Sequence, residues 1–400
     1  MKIVADSGIL GLGSSRLEGD ELILIPGREI TQDKLLDADA LLVRSITRVD
    51  KALIHGTGVR FVGTATSGRN HLDEQYLNSQ GISVVDSKGA NASAVADYVF
   101  AALAYCVRQG AIDAAFQRRV RIGIVGVGCV GGLLNKRLRD AGFSTLCCDP
   151  LRVSFENTDE TNSFVTLEEA MQCEVVCIHV PYSEQGEHAT RHLIGARELA
   201  LMPTGALLIN ACRGGVVEEA ALAAFAIEDK EFSYCSDVWQ DEPAVASEII
   251  SVARLATPHI AGYSSQAKTA ATTMLITGLE QYRSHEYAGA KAEKNRCVLD
   301  PQGANTASQP RLEYEFDIVV TGWQIIERLF PLRAIDSAFR NAAAEGLTPH
   351  SFDSLRRALL QRQEFNSCTV RLTHDVDDSD RRLLAAVGIE VLRSDSCREP

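Results

Sequence analysis

Residues 121–131, RIGIVGVGCVG, contain the motif that decides the fold. A β-branched apolar run at 121–125 precedes three glycines, Gly126, Gly128 and Gly131, and a helical pattern follows them. In a G-x-G-x-x-G turn the first glycine permits a tight turn, the second lets a pyrophosphate approach the backbone, and the third allows close helix packing. The motif alone is weak evidence, but its position between a strand and a helix predicts a dinucleotide-binding turn.

A regular alternation of apolar strands and helical segments surrounds this turn. Such alternation predicts a doubly wound parallel sheet of the Rossmann type, with helices on both faces. The polar, aperiodic segment 154–163, SFENTDETNS, is interpreted as a surface loop. Five strands are predicted, at 121–125, 144–148, 175–180, 206–210 and 232–236.

Asp149 lies at the end of the first strand after the glycine turn. A carboxylate at this place accepts hydrogen bonds from the ribose hydroxyls of an adenosine group, and it repels a 2′-phosphate. The sequence therefore predicts NAD rather than NADP as the cofactor, although Arg152 lies near enough along the chain to weaken this preference.

Three ionisable residues each follow an apolar, strand-like run: Arg213 in NACRGG, Glu242 in DVWQDEP and His259 in TPHIAGY. Ligands of open parallel sheets bind beyond the carboxyl ends of the strands, so we expect these side chains to converge. Oxidation of a secondary alcohol by hydride transfer needs a base, a cation for the substrate carboxylate and a group that tunes the base. We assign these tasks to His259, Arg213 and Glu242, respectively. Taken singly, such residues are usually ordinary loop, surface or turn residues, and it is their shared placement after strands of one predicted sheet that favours a site.

His179 competes with His259 as the base, because it also ends a predicted strand. Its position fits the wall of a cofactor site or a satisfied core histidine better. The remaining histidines considered, His71, His188 and His192, stand in polar surroundings and receive no role.

The composition is typical of a globular protein with a large core. The chain has 400 residues, of which 46% are hydrophobic, and this predicts two or three domains. A net charge of −13 leaves no basic stripe for phosphates, which argues against nucleic acid as a partner. Eleven cysteines without a CxxC pair favour reduced thiols and predict no metal site. Apolar stretches too short for a bilayer and a first segment unlike a signal peptide predict a cytoplasmic location without membrane attachment.

The flanking regions differ in pattern from the central one. The first hundred or so residues alternate short apolar runs with helical segments, as in a small α/β domain. A turn-rich stretch at 300–310, DPQGANTASQP, is interpreted as part of a linker. The region after it is expected to be α+β, with strands at 312–320, 368–372 and 389–392 and helices around 323–343 and 351–361.

The stretches GVGCVG, NACRGG, DVWQDEP and TPHIAGY resemble the D-isomer-specific 2-hydroxyacid dehydrogenase family, over roughly residues 1–285. The resemblance implies an α/β fold with a Rossmann-type NAD domain, a second and split substrate domain, and a homodimer. The implied divisions are a substrate-binding (lid) domain at 1–90 plus 259–285, an NAD-binding domain at 91–258, a linker at 286–310 and a C-terminal dimerisation domain at 311–400.

The same resemblance assigns roles to individual residues, and it gives the three ionisable residues the catalytic places. It implies substrate contacts at Ser45, Thr66 and Tyr263. The hydroxyl groups of Ser45, Thr66 and Ser67, with Arg44 and Arg69 nearby in sequence, are suited to hold a phosphate, although each is also compatible with an ordinary polar turn. Cofactor contacts are implied at Gly126, Gly128, Cys129, Val130, Gly131, Asp149, Val180, Ala211, Cys212, Arg213, Asp237 and Gly262.

Three further stretches narrow the resemblance: VRSITRVD at 43–50, FVGTATSGRNHLD at 61–73 and NASAVADYV at 91–99. With the C-terminal region, they are similar to a branch that oxidises 4-phospho-D-erythronate, a small phosphorylated 2-hydroxy acid, in pyridoxal phosphate (vitamin B6) synthesis. Two alternatives stay open: a dehydrogenase for another 2-hydroxy acid such as phosphoglycerate or glycerate, and an NAD-sensing corepressor or binding protein. Three positions depart from the usual family pattern outside the catalytic trio: Val180, Asn70 and Cys129.

Overall fold

The structure is a computed structural model. It forms two compact units, a first unit of residues 1–91 with 265–308 and a second unit of residues 92–264 with 309–400. The predicted surface loop at 154–163 and most of the predicted linker at 286–310 lie outside the described residues. No helix within the described ranges is both long and apolar enough to cross a membrane. The described ranges are 1–12, 17, 19–112, 120–153, 164–228, 231–287, 311–316 and 318–393.

The first unit is built on a sheet of five parallel strands. Parallel neighbours need crossover connections, and two of these contain the short helices α1 (Lys51–Ile54) and α2 (Glu74–Ser79). Each helix starts with an aspartate, Asp50 or Asp73, whose carboxylate accepts a backbone N–H of the first turn. The strands are β1 (Lys2–Asp6), β2 (Glu21–Ile25), β3 (Ala40–Val43), β4 (Phe61–Thr64) and β5 (Ser83–Asp86), in the order β2-β1-β3-β4-β5.

Both faces of this sheet are covered, because β3 and β4 are buried along their whole length. Alternate side chains of a strand point to opposite faces, so Phe61 packs in one apolar cluster with Leu275 while Val62 packs in another. Leu275 belongs to the long helix α10 (Ser265–Tyr287). A Cβ atom at Gly63 would lie 3.2 Å from the Leu275 side chain, so this glycine allows α10 to approach the sheet.

The second unit contains the predicted doubly wound sheet. Five of its six described strands lie within the predicted stretches, and the sixth, at 255–256, was not predicted. The order reverses beside the strand that starts the sheet, with one successor on each side, and this is the point where open α/β sheets bind ligands. All neighbours are parallel. The strands are β6 (Arg121–Val125), β7 (Ser144–Cys148), β8 (Val175–Ile178), β9 (Leu207–Asn210), β10 (Ser233–Ser236) and β11 (Leu255–Ala256), in the order β7-β6-β8-β9-β10-β11.

Seven helices accompany this sheet within the described residues. The first is apolar on all sides, which is typical of a helix without a solvent face, and every residue from Ala94 to Cys106 is buried. Tyr98 shows how deep it lies, since its hydroxyl group is hydrogen-bonded to Thr257 at 2.8 Å. The helices are α3 (Ala92–Arg108), α4 (Cys129–Asp140), α5 (Pro150–Val153), α6 (Leu167–Met171), α7 (Ala196–Leu199), α8 (Glu219–Glu228) and α9 (Ser247–Val252).

The described residues of 311–393, called the C-terminal residues below, combine three parallel strands with four α-helices. The sequence pattern predicted helix around 323–343, but Pro331 divides it because proline disfavours helical backbone in the preceding residue, here Phe330. Gly388 ends the last helix in the left-handed conformation, with φ of +87°. The elements are β12 (Leu312–Phe316), α11 (Gly322–Leu329), α12 (Leu332–Ala344), α13 (Pro349–Arg357), β13 (Cys368–Leu372), α14 (Asp378–Val387) and β14 (Glu390–Arg393), and the sheet order is β12-β13-β14.

Side chains of α12 join the C-terminal residues to the nucleotide sheet. Asp336 accepts a hydrogen bond from the backbone N–H of Ala256 in β11 at 2.7 Å. Arg340 donates to the carbonyl oxygens of Ile250 and Ala253, at 2.7 and 2.6 Å. A new sheet therefore begins after the sequence-based boundary at residue 311, but the residues that follow pack against the nucleotide sheet in the same compact unit. The chain passes between the two units at 91–92 and 264–265, so residues 259–264, which the resemblance grouped with 1–90, belong to the unit that contains the nucleotide sheet.

Replacing Phe339 of α12 by alanine tests this packing. The side chain is fully buried, and its ring centroid lies 5.9 Å from that of Trp239 and 6.0 Å from that of Phe352. Phe339→Ala should lower the free energy of unfolding by about 3–5 kcal/mol, the usual cost of such a cavity. Urea denaturation measures this change in the free energy of unfolding. The control Ile227→Ala removes a side chain that is 70% exposed, and its effect should stay within about 0.5 kcal/mol. Equal effects of the two changes would contradict the packing described.

Candidate active site

The glycine turn has the geometry of a dinucleotide cradle. Gly126 follows β6 with φ of +90°, a conformation that favours glycine. A Cβ atom at Gly131 would lie 2.0 Å from the carbonyl oxygen of Gly126, so only glycine lets α4 start this close to the strand. Gly128 precedes α4 without a side-chain cap, and a Cβ atom there would meet nothing within 4 Å. The open space and the uncapped helix N-terminus suit a pyrophosphate.

Asp149 braces this turn from the end of β7. One carboxylate oxygen accepts the backbone N–H of Val127 at 2.8 Å, and the other accepts the N–H of Arg152 at 3.3 Å. The Arg152 guanidinium in turn donates to the Val127 carbonyl oxygen at 2.8 Å. The aspartate thus supports the loop between the first two glycines, and its predicted contact with an adenosine ribose stays a prediction.

The other predicted cofactor residues of the sheet lie near the carboxyl ends of its strands. Cys129 and Val130 begin α4, Val180 follows β8, and Ala211 and Cys212 follow β9. In a parallel sheet these ends form one edge, so the residues share it with the glycine turn. Burial raises the pKa of the Cys212 thiol to about 11, which keeps the thiol neutral.

Glu242 and His259 form a direct pair, as the sequence motifs suggested. The imidazole Nδ1 lies 2.7 Å from Oε2 of the carboxylate. The other carboxylate oxygen accepts the backbone N–H of Trp239 at 2.8 Å, so both oxygens have partners. A charged partner fixes the imidazole with Nδ1 protonated and leaves Nε2 as the proton acceptor. The His259 side chain is 33% exposed, which is compatible with access by a ligand.

The electrostatics of the pair favour an ionised Glu242. Burial by itself raises the pKa of this carboxyl group. The charge of His259 and the hydrogen bonds from His259 and the Trp239 N–H, with a smaller contribution from Arg356, lower the pKa by more than burial raises it. The net pKa lies below the usual value, so the group carries a full negative charge near neutral pH. The imidazole of His259 thus has an ionised hydrogen-bond partner.

Asp237 holds the loop that carries His259. The carboxylate is buried and accepts the backbone N–H groups of Ile260 and Ala261 and the hydroxyl of Thr257, each at 2.7 Å. Burial raises its pKa to about 6, while the charge of His259 and these three hydrogen bonds oppose the rise. His259 itself has φ of +56°, a strained backbone for a residue with a side chain. The resemblance implied a cofactor contact at Asp237; its contacts in the structure are with this loop.

Arg213 lies at the end of β9, next to the strand that leads to Glu242. Its guanidinium donates to the neighbouring carbonyl oxygen of Cys212 at 2.6 Å. A Cβ atom at the next residue, Gly214, would lie 1.8 Å from the carbonyl oxygen of Trp239. The absence of a side chain at this glycine therefore lets the arginine loop rest on the backbone of the glutamate loop.

His179 and Tyr263 also belong to the second unit. Burial lowers the pKa of His179 to about 4, and its Nε2 is buried without a hydrogen-bond partner among the described residues. This neutral histidine is poorly suited to the role of base. Tyr263 and Gly262 follow His259 in the same loop, and the guanidinium carbon of Arg356 lies 4.9 Å from the Tyr263 ring centroid. Arg356 belongs to α13, and no motif in the sequence pointed to it.

The residues predicted to hold a phosphate lie in the first unit. Ser45 is exposed after β3, and Thr66 follows β4, where its hydroxyl group is hydrogen-bonded to Thr64 at 2.8 Å. The two arginines are already paired. Arg44 donates twice to Asp6, at 2.8 and 3.0 Å, and Arg69 is bound to Asp86 and Glu74. Charge alone therefore does not mark these arginines as available to a phosphate.

Comparisons with known proteins show the family of the chain. Residues 103–261 match the model of the D-isomer-specific 2-hydroxyacid dehydrogenase NAD-binding domain. Proteins named erythronate-4-phosphate dehydrogenase from Yersinia pestis and Yersinia pseudotuberculosis are 37% identical over 349 residues, which is 87% of this chain and 88% of theirs.

Solved structures share the fold at lower identity. NAD-bound 3-phosphoglycerate dehydrogenase from Entamoeba histolytica superposes with a TM-score of 0.60 at 22% identity, covering 74% of this chain and 99% of the other. D-lactate dehydrogenase from Aquifex aeolicus, in complex with NAD and lactic acid, gives a TM-score of 0.58 at 20% identity, covering 72% and 96%. These likenesses confirm the predicted α/β fold.

Three alanine substitutions in the glycine turn separate binding from folding. Gly128→Ala should weaken NAD binding about tenfold or more with unchanged stability, because its methyl group enters only the open space. Gly131→Ala should lose both binding and about 1–3 kcal/mol of stability. Gly132→Ala is the control, because its Cβ would meet only Val127 O at 3.8 Å. Calorimetric titration with NAD and thermal unfolding measure the two effects. Normal affinity in Gly128→Ala would show that the pyrophosphate lies elsewhere.

Proposed function

The chain belongs to the D-isomer-specific 2-hydroxyacid dehydrogenase family, in its erythronate-4-phosphate dehydrogenase branch, and we propose that it oxidises 4-phospho-D-erythronate with NAD. The product is 2-oxo-3-hydroxy-4-phosphobutanoate, in the synthesis of pyridoxal phosphate. The observation that carries the proposal is the 2.7 Å pair of His259 and Glu242, at the edge of the sheet that bears the glycine turn. The names of the Yersinia relatives support the choice of substrate.

His259 takes the proton of the C2 hydroxyl group on Nε2, because Nδ1 is engaged by Glu242. Bound NAD supplies the acceptor for the hydride that leaves C2. The proton and the hydride thus leave the same carbinol unit, and the C–O bond becomes a carbonyl. Glu242 stabilises the imidazolium that forms, since its depressed pKa keeps it ionised throughout.

Arg213 binds the substrate carboxylate and orients C2. A guanidinium forms two parallel hydrogen bonds with a carboxylate, which fixes direction as well as position. Its present contact with the Cys212 carbonyl oxygen uses one Nη1 donor, so the planar fork retains other N–H groups. The same positive charge favours the partial negative charge that develops on the C2 oxygen.

The substrate phosphate is assigned to the hydroxyl groups of Ser45, Thr66 and Ser67, with Arg44 and Arg69 nearby in sequence. This part of the proposal rests on the family resemblance. The carboxylates already bound to the two arginines reduce their net charge, so hydroxyl groups and backbone amides carry more of the recognition than charge does.

A cytoplasmic homodimer completes the proposal. Exposed apolar side chains of the C-terminal residues support a dimer surface: Ile318 is 66% exposed and Val319 is 72% exposed. Sedimentation velocity of the full chain should show a dimer at micromolar concentration. A monomer under these conditions would remove this part of the proposal and leave the catalytic part intact.

The substrate is tested by a panel of 2-hydroxy acids with NAD, following NADH formation. The panel contains 4-phospho-D-erythronate, 3-phosphoglycerate, D-glycerate and D-lactate. The value of kcat/KM should be highest for 4-phospho-D-erythronate, by roughly 100-fold over the unphosphorylated acids, because these acids leave the groups that bind the phosphate without a partner. A preference for 3-phosphoglycerate or glycerate would assign another dehydrogenase. NAD binding without NADH from any acid would indicate a corepressor or binding protein.

Variants of the catalytic pair complete this experiment. His259→Ala should abolish turnover while NAD affinity stays within about threefold. Glu242→Gln keeps a hydrogen bond and loses the charge, so kcat should fall by about 10²–10⁴-fold. Turnover retained by His259→Ala would exclude this histidine as the base.

A further inference from the structure

An arginine from the C-terminal residues holds the loop that follows His259. Arg362 donates from Nε to the carbonyl oxygen of Tyr263 at 2.7 Å, and from Nη2 to that of Ala261 at 3.3 Å. Nη2 also lies 3.2 Å from the carbonyl oxygen of Ala94, at the start of α3. The Arg362 side chain is only 6% exposed, so these bonds are made away from water. The guanidinium thus donates hydrogen bonds to carbonyl oxygens of two segments, the start of α3 and the loop after His259, which both continue along the chain into the first unit.

Asp237 holds the amide side of the same loop. It accepts the backbone N–H groups of Ile260 and Ala261 at 2.7 Å. Ala261 is therefore fixed at both ends of its backbone, its N–H by a carboxylate and its C=O by a guanidinium. Charge-assisted hydrogen bonds of this kind are stronger than neutral ones, so the peptide planes beside His259 have little freedom to rotate.

Arg362 is itself fixed by its surroundings. Its guanidinium carbon lies 4.3 Å from the ring centroid of Phe330, and its Nη1 lies 3.7 Å from a carboxylate oxygen of buried Asp97. Two residues further, Glu364 accepts the hydroxyl of Ser264 at 2.7 Å, where the loop ends. Arg362 thus binds the loop at Ala261 and Tyr263, and Glu364 binds it at Ser264.

We propose that Arg362 is a positioning residue for hydride transfer: by holding the carbonyl oxygens of Ala261 and Tyr263, it keeps His259 against Glu242. This proposal rests on the proposed function, because it takes His259 as the base. It gives residues 311–393 a part in catalysis.

The backbone of His259 explains why the loop needs two anchors. A residue with a side chain keeps a left-handed conformation only where the surrounding structure over-determines it. Asp237 and Arg362 hold the loop from the amide and the carbonyl side, respectively. Without the guanidinium the loop relaxes and the imidazole moves, and a displacement of about 1 Å at a reacting group costs about 100-fold in rate.

Arg362→Met and Arg362→Lys test this role, with Arg340→Met as the matched control. Arg340 is also an arginine of the C-terminal residues that donates to two carbonyl oxygens, but these belong to Ile250 and Ala253, outside the catalytic loop. Methionine keeps the apolar stem, and lysine keeps the charge without the planar fork. The readouts are kcat and KM for 4-phospho-D-erythronate, NAD affinity, and hydrogen exchange of a peptide that covers residues 257–264.

We expect kcat to fall about 30–100-fold in Arg362→Met and less in Arg362→Lys, with NAD affinity within about threefold of the parent protein. Amides of residues 257–264 should exchange at least about tenfold faster in the Arg362 variants only. Arg340→Met should keep kcat within about threefold. A loss of stability alone would affect both methionine variants, so the exchange pattern and the split between kcat and NAD affinity identify positioning.

Equal kcat in Arg362→Met and Arg340→Met, or unchanged exchange of the loop in the Arg362 variants, would overturn the proposal. Should Arg362→Met fail to fold, Arg362→Lys decides by the same two measurements. Absence of turnover in the parent protein would count against the proposed function. The exchange experiment needs no turnover, and faster exchange confined to the Arg362 variants would still support the anchoring of the loop.

Discussion

The candidate site depends on the hydrogen bonds between the carboxylate of Asp237 and the loop that carries His259. The carboxylate lies without solvent contact after β10, and it binds two backbone N–H groups and one hydroxyl group of the loop after β11. Burying a carboxylate is unfavourable unless its hydrogen bonds are satisfied, and burial raises the pKa of this group to about 6 although three hydrogen bonds oppose the rise. These hydrogen bonds fix the path of the loop. The loop in turn places the imidazole of His259 beside the carboxylate of Glu242, which follows the neighbouring strand β10.

The sequence predicted the parts of the fold that repeat a simple period. Apolar runs gave the positions of β6 to β10, and the glycine spacing gave the turn, because a missing Cβ leaves a signature in the sequence. The pairing of Glu242 with His259 also followed from the rule that ligands gather at the carboxyl ends of strands. These features depend on local geometry and on the topology of parallel sheets.

Long-range polar contacts were beyond the sequence pattern. Nothing in 349–365 sets Arg356 or Arg362 apart from the other arginines of a charged helical stretch, yet Arg362 binds carbonyl oxygens on a loop about a hundred residues earlier. The pairing of Arg44 with Asp6 was equally hidden, since the two residues come from different strands. Pro331, by contrast, was visible in the sequence, and its effect on the helix at 323–343 follows from backbone sterics.

The order in which the chain is synthesised gives the C-terminal anchor a further consequence. A ribosome adds His259 long before Arg362, so the nascent chain carries all three ionisable site residues while the second support of the His259 loop is still missing. Domains generally fold as they emerge, amino terminus first. A chain that stops before Arg362 therefore has the complete His259 loop but lacks the contacts on its carbonyl side, so a shorter product is not simply a smaller copy of the folded site.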